Sequence, residues 1–425
     1  MAIGGSNDAG QIVSGKAEAS LAAKLALGLG YAVFAVLLNS VGTVILQSIG
    51  YFHVDNVTAS TLEAFKDLTI AVVSFAIAAQ LPRFGFKRSM VAALLIAGTG
   101  CVLVPLADSF WATRAMFFAT GFGFALMKVS VYSVIGLFTT SASGHARLLG
   151  IIEAAFMAAV VASSWIFAWF IDPADAASPS WLNVYWLLAG LCAVSALGIA
   201  LARIDESGLD ESAHAQDPAT AFREMLSLLM LRVTQVFILG VFLYVFIEQG
   251  LGTWLPTINH KVLGLDGQIA VQAASAFAMA ITAGRLVAGL IVARIGWQSL
   301  LLICLGSMAL ILIAVPGLAA GAGGTIVTSW TAMPLAAYLL PAVGFFMAPI
   351  YPTLNSVVLS AVPKARQAGL IGLIVVFSAL GGTAGSRMVA VLFSSEPSAQ
   401  VLYSLLVPIA VLVAATLWLG RLTRE

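Results

Sequence analysis

Arg83-Phe84-Gly85-Phe86-Lys87-Arg88-Ser89 and, about 210 residues further on, Arg294-Ile295-Gly296-Trp297-Gln298-Ser299 are one device written twice. In each, a glycine sits among basic residues between two long apolar runs. Glycine enters the left-handed φ region without a Cβ penalty, so each stretch predicts a tight turn at the same end of two consecutive helices. A second pair, Ala146-Arg147 and Ala365-Arg366, recurs at a similar separation of about 220 residues. A chain that repeats its turns this way is expected to be two similar halves.

The solvent of those halves follows from composition. Of the 425 residues 61% are hydrophobic and only 9% charged, far below the roughly 25% charged residues of a soluble domain. Too few polar groups exist to cover a water-facing surface, which leaves lipid. A net charge of +1 without a basic cluster excludes nucleic acid as a partner. Cys101, Cys192 and Cys304 all fall in apolar runs, and His53, His145, His214 and His260 lack ligand spacing, so neither a disulfide framework nor a metal site is expected. Met1 to Ser20 is polar and carries acids, unlike a signal peptide.

A spanning helix needs about 20 mostly apolar residues. Twelve stretches qualify as candidates: 25–50, 65–82, 90–107, 111–138, 148–171, 182–201, 233–256, 270–293, 298–315, 333–360, 368–392 and 400–420. The ninth is expected to end early, at Pro316 and the run Gly317 to Thr325. Orientation follows the bias of Lys and Arg. With both termini cytoplasmic, that side receives Lys16, Lys24, Arg83, Lys87, Arg88, Arg147, Arg203, Arg223, Arg232, Arg294, Lys364, Arg366, Arg421 and Arg424. The other side receives Lys66, Arg114, Lys261 and Arg387. Trp111, Trp169, Trp181 and Trp330 fall at the predicted outer ends, as an aromatic belt would. The longest polar interruption, Arg203 to Arg232, divides the chain. The expected fold is therefore an all-α membrane protein of twelve transmembrane helices in two six-helix bundles, residues 1–202 and 233–425, joined by a cytoplasmic linker, 203–232. Parallel repeats of this kind are an architecture of secondary transporters.

Over nearly its whole length the sequence resembles the major facilitator superfamily, whose basic turn between helices two and three is similar to Arg83–Ser89. The resemblance implies an acidic residue just before the Arg, where this chain has Pro82, so a gate built on that acid must be made otherwise. The Gly-Pro motif of drug antiporters is missing from span five, which reads Ala154-Ala155-Phe156-Met157-Ala158-Ala159. A finer resemblance is to the fucose–proton symporter branch. It rests on Tyr244, Glu248 and Trp254 at Y-x3-E-x5-W spacing, on Ala348-Pro349-Ile350-Tyr351-Pro352-Thr353, and on Arg147-Leu148 followed by Glu153 and Phe156. That branch implies a coupling carboxylate near position 128, where this chain carries a lysine.

Ionisable groups inside a membrane are costly and each needs a reason. Lys128 lies deep in span four, one helical turn from Tyr132, so the two share a face. It is expected either to bind an anionic solute or to hold Glu153 of span five. Glu248, beside Gln249 and ahead of the Gly250–Gly252 stretch, reads as a proton or substrate carboxylate, with local unwinding expected at the glycines. Asn39, Tyr132, Trp254, Tyr351 and Asn355 complete the expected substrate and coupling set; Gln47 and Ser130 are further neutral candidates. Arg83, Lys87, Arg88, Arg147 and Arg285 are expected to serve gating. Glu63, Lys66 and Asp67 read as an exposed charge cluster at the outer end of span two, without function.

These readings converge on a monomeric carrier of a sugar, sugar acid or related organic anion in the cytoplasmic (inner) membrane, driven by protons and using no cofactor. One charge moving down 100 mV supplies about 2.3 kcal/mol, roughly fifty-fold accumulation. No G-x-x-x-x-G-K-[ST] is present to bind ATP. No nucleophile–base constellation suggests an enzyme. An exporter of siderophores, drugs or other amphipathic compounds is the alternative.

Overall fold

The computed structural model describes residues 21–77, 81–139, 141–202, 204, 206, 223, 225–320, 326–361 and 363–422. Fifteen helices carry the architecture: α1 (Leu21–Asn39), α2 (Val41–Tyr51), α3 (Thr61–Ile77), α4 (Phe86–Ala107), α5 (Phe110–Leu137), α6 (Ala142–Ala168), α7 (Val184–Leu201), α8 (Arg232–Gly252), α9 (Leu255–Lys261), α10 (Gly267–Ile295), α11 (Trp297–Ala319), α12 (Leu335–Met347), α13 (Ile350–Ala361), α14 (Lys364–Ser395) and α15 (Leu406–Leu422). Among the described residues, eleven helical stretches are long and apolar enough to cross a membrane. Helix α3 is not one of them. It has 17 residues and carries Glu63, Lys66 and Asp67, yet it packs between α5 and α14 like its longer neighbours.

Three of the expected spans are bent. The first breaks at Ser40 between α1 and α2, the seventh at Thr253–Trp254 between α8 and α9, and the tenth at Ala348–Pro349 between α12 and α13. The seventh breaks just beyond the Gly250–Gly252 stretch, because Pro256 at the start of α9 lacks an N–H to continue the ladder of α8. The expected early stop at Pro316 does not occur. Helix α11 runs through it to Ala319, and the Ala320 N–H still bonds to the Pro316 carbonyl at 3.2 Å. Near a helix end one missing N–H is tolerated where neighbouring helices shield the backbone.

Gly85 and Gly296 adopt φ of +87° and +77°, the left-handed turns the repeat predicts. They mark what we term the basic end, since Lys87, Arg88 and Arg294 stand beside them. At the opposite end, helices α1–α7 meet α8–α15 tightly. The carbonyl oxygen of Thr253 lies 2.4 Å from where a Cβ on Gly42 would stand. Gln268 donates to the Ile171 carbonyl at 2.8 Å, and Arg387 donates to the carbonyl of Val57. Trp165 stacks on Trp330 at 5.9 Å and donates to Ser275 at 3.1 Å. Glycine seams bring α14 against α8: a Cβ on Gly381 or Gly385 would fall within 2.4 and 2.0 Å of the Phe242 and Phe246 carbonyls.

Candidate functional site

Three polar clusters lie at three depths along the helices. The first, toward the basic end, joins α1, α5 and α6. Glu153 accepts hydrogen bonds from Tyr132 at 2.7 Å and Tyr31 at 3.3 Å. One turn from Tyr132, the Lys128 ammonium lies 5.8 Å from the centroid of the Phe124 ring. Phe124 in turn packs with Tyr31 and Phe156, whose own rings are 4.7 Å apart. Lys128 is exposed, and it forms no ion pair with Glu153, although Glu153 is the acid whose field acts on it. The lysine–glutamate pair weighed from sequence is thus absent: both tyrosine hydroxyls bond to Glu153 Oε1, and the cation stays available. Asn39 is exposed at the α1–α2 break but returns its amide to the Ala35 carbonyl at 2.9 Å.

The second cluster joins α8, α10 and α13. Tyr244 donates to Glu248 at 3.2 Å and packs against Tyr351 at 5.4 Å between ring centroids. Arg285 is the cation that acts most strongly on Glu248. Arg285 itself is exposed and reaches toward Met157 of α6, with Nη1 4.0 Å from the sulfur. The Asn355 Oδ1 is buried without a hydrogen-bond partner among the described residues. Trp254, expected near the solute, is fully buried instead. Its indole N–H donates to the Ser386 carbonyl and hydroxyl at 3.0 and 3.1 Å, fixing the α8–α9 bend against α14. That packing takes it out of the site.

The third cluster is the one sequence reasoning dismissed. Glu63, Lys66 and Asp67 retain only 0%, 5% and 8% exposure. The Lys66 ammonium is 2.5 Å from Glu63 and 3.4 Å from Asp67. Thr253, the residue just after α8, lies 2.8 Å from Glu63 Oε2 and 3.1 Å from Gln249 Oε1. Asp67 Oδ2 is 2.8 Å from where a Cβ on Gly382 of α14 would be. Their i, i+3, i+4 spacing at a helix start looks like a solvated face, and only partners almost 200 residues away bury it. Three charged residues at the start of a candidate span were the one signal in the sequence.

At the basic end, the Lys87 backbone N–H donates to the Glu206 carboxylate at 2.6 Å, at the first turn of α4. Glu206 Oε2 also lies 2.9 Å from where a Cβ on Gly85 would stand. A carboxylate from the segment after α7 therefore sits at the turn where Pro82 occupies the expected acidic position. Arg88 and Arg147 are exposed; the Arg83 side chain lies outside the described residues, as does most of 203–232.

The family model of the Major Facilitator Superfamily matches residues 27–386. The chain belongs to the Major Facilitator Superfamily. Membership makes it a multi-pass membrane transporter and not an enzyme. Among solved structures it is similar to the nucleoside transporter NupG, with a TM-score of 0.73 and 13% identity over 93% of this chain and 99% of that one. It is also similar to a bacterial homolog of the human lysosomal transporter Spinster, inward-facing and occupied, at 0.72 and 14% over 94% and 96%. The E. coli fucose:proton symporter FucP aligns at 0.59 and 16% over 95% and 98%. At these identities the likeness is one of fold. A search by sequence among curated proteins finds no match.

Proposed function

We propose that this Major Facilitator Superfamily chain is a proton-coupled secondary transporter of a small polar metabolite, a sugar, sugar acid or related organic anion, working by alternating access. The observation that carries the reading is the pairing of a free cation and carboxylates with hydroxyl and aromatic groups on interior helix faces. Lys128, Tyr132, Tyr31 and Glu153 lie on one side, and Tyr244, Glu248, Tyr351, Asn355 and Arg285 on the other. Hydroxyl-rich solutes suit tyrosine and amide partners, while an acidic solute adds a role for Lys128. Glu248 is the coupling carboxylate in this reading, and Gln249 its link to Thr253.

In this scheme α3 counts as the second of twelve spans, and residues 1–202 and 233–425 form two six-helix bundles joined by 203–232. The basic end is cytoplasmic by the positive-inside bias, with both termini on that side of the inner membrane. The tight contacts of the opposite end then belong to an inward-facing state. Lys87, Arg88, Arg147, Arg285 and Arg83 serve gating at or near the cytoplasmic face, with Glu206 as the carboxylate that the turn itself lacks.

A thermal-shift screen of the purified protein against monosaccharides, uronic acids, nucleosides and siderophores tests the reading. Stabilisation by a polar metabolite, lost in Lys128→Met for acids alone, supports it. Stabilisation confined to siderophores or other amphipathic compounds favours the exporter reading, in which the Tyr31, Phe124 and Phe156 wall does the binding.

A further inference from the structure

Two carboxylates and one ammonium share a sealed space on α3. Burying a net charge is expensive, and a buried ion set is tolerated only where its charges balance and its hydrogen bonds are made. Lys66 balances one of Glu63 and Asp67 and leaves one negative charge over. Among the described residues the neighbouring elements do not supply it at contact distance. From α5, Arg114 donates to Thr61 at 3.0 Å and lies over Phe110 and Trp111. From α14, Arg387 is spent on Val57 and Ser60, and Gly382 offers no side chain. From α8 comes a further acid, Glu248, with Gln249 and, just after the helix, Thr253. On α2 the buried polar side chains, Thr43, Gln47 and Ser48, are all neutral.

A second observation comes from the break between α8 and α9. The Thr253 hydroxyl has one hydrogen, yet it lies within bonding distance of two oxygens, Glu63 Oε2 and Gln249 Oε1. Both contacts are satisfied if Glu63 carries a proton on Oε2 and donates it to the Thr253 hydroxyl, which then donates to Gln249. We propose that Glu63, Lys66 and Asp67 form a proton-binding site that holds one proton while the opposite end is closed. Resting on the proton-coupled reading above, this site supplies its gate. The proton comes from water at the opposite end, is shared by the two carboxylates beside a charged Lys66, and makes the triad neutral so that α3 can seal against α8 and α14. Loss of that proton leaves a buried negative charge and drives the helices apart. The site is joined through Thr253 and Gln249 to the neighbourhood of Glu248, which places the gate beside the coupling carboxylate.

The test needs no substrate. Ser48 of α2 is fully buried at the closed end, so a Ser48→Cys variant of the full chain reacts with a membrane-impermeant maleimide only when that end opens. The protein without the substitution corrects for Cys101, Cys192 and Cys304. If the closed form holds one proton more than the open form, the open-to-closed ratio rises up to tenfold per pH unit. Asp67→Asn leaves a balanced Glu63–Lys66 pair and should flatten that dependence with the end closed. Lys66→Met leaves two acids needing two protons and should steepen it toward a hundredfold per unit. A full tenfold dependence surviving in both Asp67→Asn and Glu63→Gln overturns the site. If Glu248→Gln flattens it in their place, the coupling reading stands and this inference falls. A pH-independent wild type overturns both. Should Asp67→Asn fold poorly, Gly382→Ala serves: its Cβ displaces Asp67 and should raise labelling at every pH, and unchanged labelling counts against the site.

Discussion

Replacing Gly42 with alanine should shift the transporter toward the state in which its opposite end is open. The new Cβ would stand 2.4 Å from the Thr253 carbonyl oxygen and 3.2 Å from its carbon. A comfortable carbon–oxygen contact is about 3.3–3.6 Å, so α2 and the α8–α9 junction must part by about 1 Å. Overpacking of this kind costs about 1–3 kcal/mol. Only the closed arrangement bears the cost, because the contact vanishes when the end opens. The equilibrium should therefore move about 5- to 150-fold toward open. Spin labels on Ala177 and Thr328, both exposed at that end, would report it as a longer-distance population in a double electron–electron resonance experiment. Gly28→Ala is the control, since nothing lies within 4 Å of its Cβ. An unchanged distance distribution accompanied by a loss of thermal stability would refute the reasoning, for it would make the contact part of a fixed core.

Other outcomes follow from the same geometry. Gly385→Ala, with its Cβ 2.0 Å from the Phe246 carbonyl, should lower thermal stability by about 1–3 kcal/mol, whereas Gly306→Ala in open space should leave it unchanged or raise it slightly; calorimetry in detergent compares them. Tyr132→Phe removes the shorter of two hydrogen bonds to Glu153 and should weaken binding of the best ligand from the thermal-shift screen about tenfold by titration, with folding intact. Lys128→Met should keep the protein folded and abolish binding of acids, because no ion partner is orphaned by the change; a folding defect rescued by adding Glu153→Gln would show that the two are coupled after all.

Much of the scaffold is legible in the sequence because lipid imposes simple demands. Apolar runs must be helices, and the basic turns with Gly85 and Gly296 must be tight; both glycines do take positive φ. Helix interiors tolerate proline better than the sequence suggests, as α11 through Pro316 illustrates. The polar sites are less legible. Lys128, Tyr132 and Glu153 can be placed near one another from spacing alone, but which partner Glu153 chooses depends on Tyr31, 122 residues away. Trp254 fits a sugar-like spacing yet faces Ser386, since the direction of a side chain after a helix break cannot be read from spacing. Glu63, Lys66 and Asp67 are misjudged for the same reason. Local sequence gives their face on α3, while burial is decided by Thr253 and Gly382 in the other half of the chain.

The central claim, proton-coupled transport of a polar metabolite, is tested most directly by proton movement in proteoliposomes. The purified chain is reconstituted with a pH-sensitive dye in the lumen, and monosaccharides, uronic acids and nucleosides are added outside in turn. The account predicts that at least one of these solutes carries protons into the lumen and acidifies it. It also predicts that Glu248→Gln abolishes the proton signal while exchange of the same radiolabelled solute continues. Uphill accumulation of that solute by Glu248→Gln, or its transport by the unmodified protein with no proton signal, would contradict it.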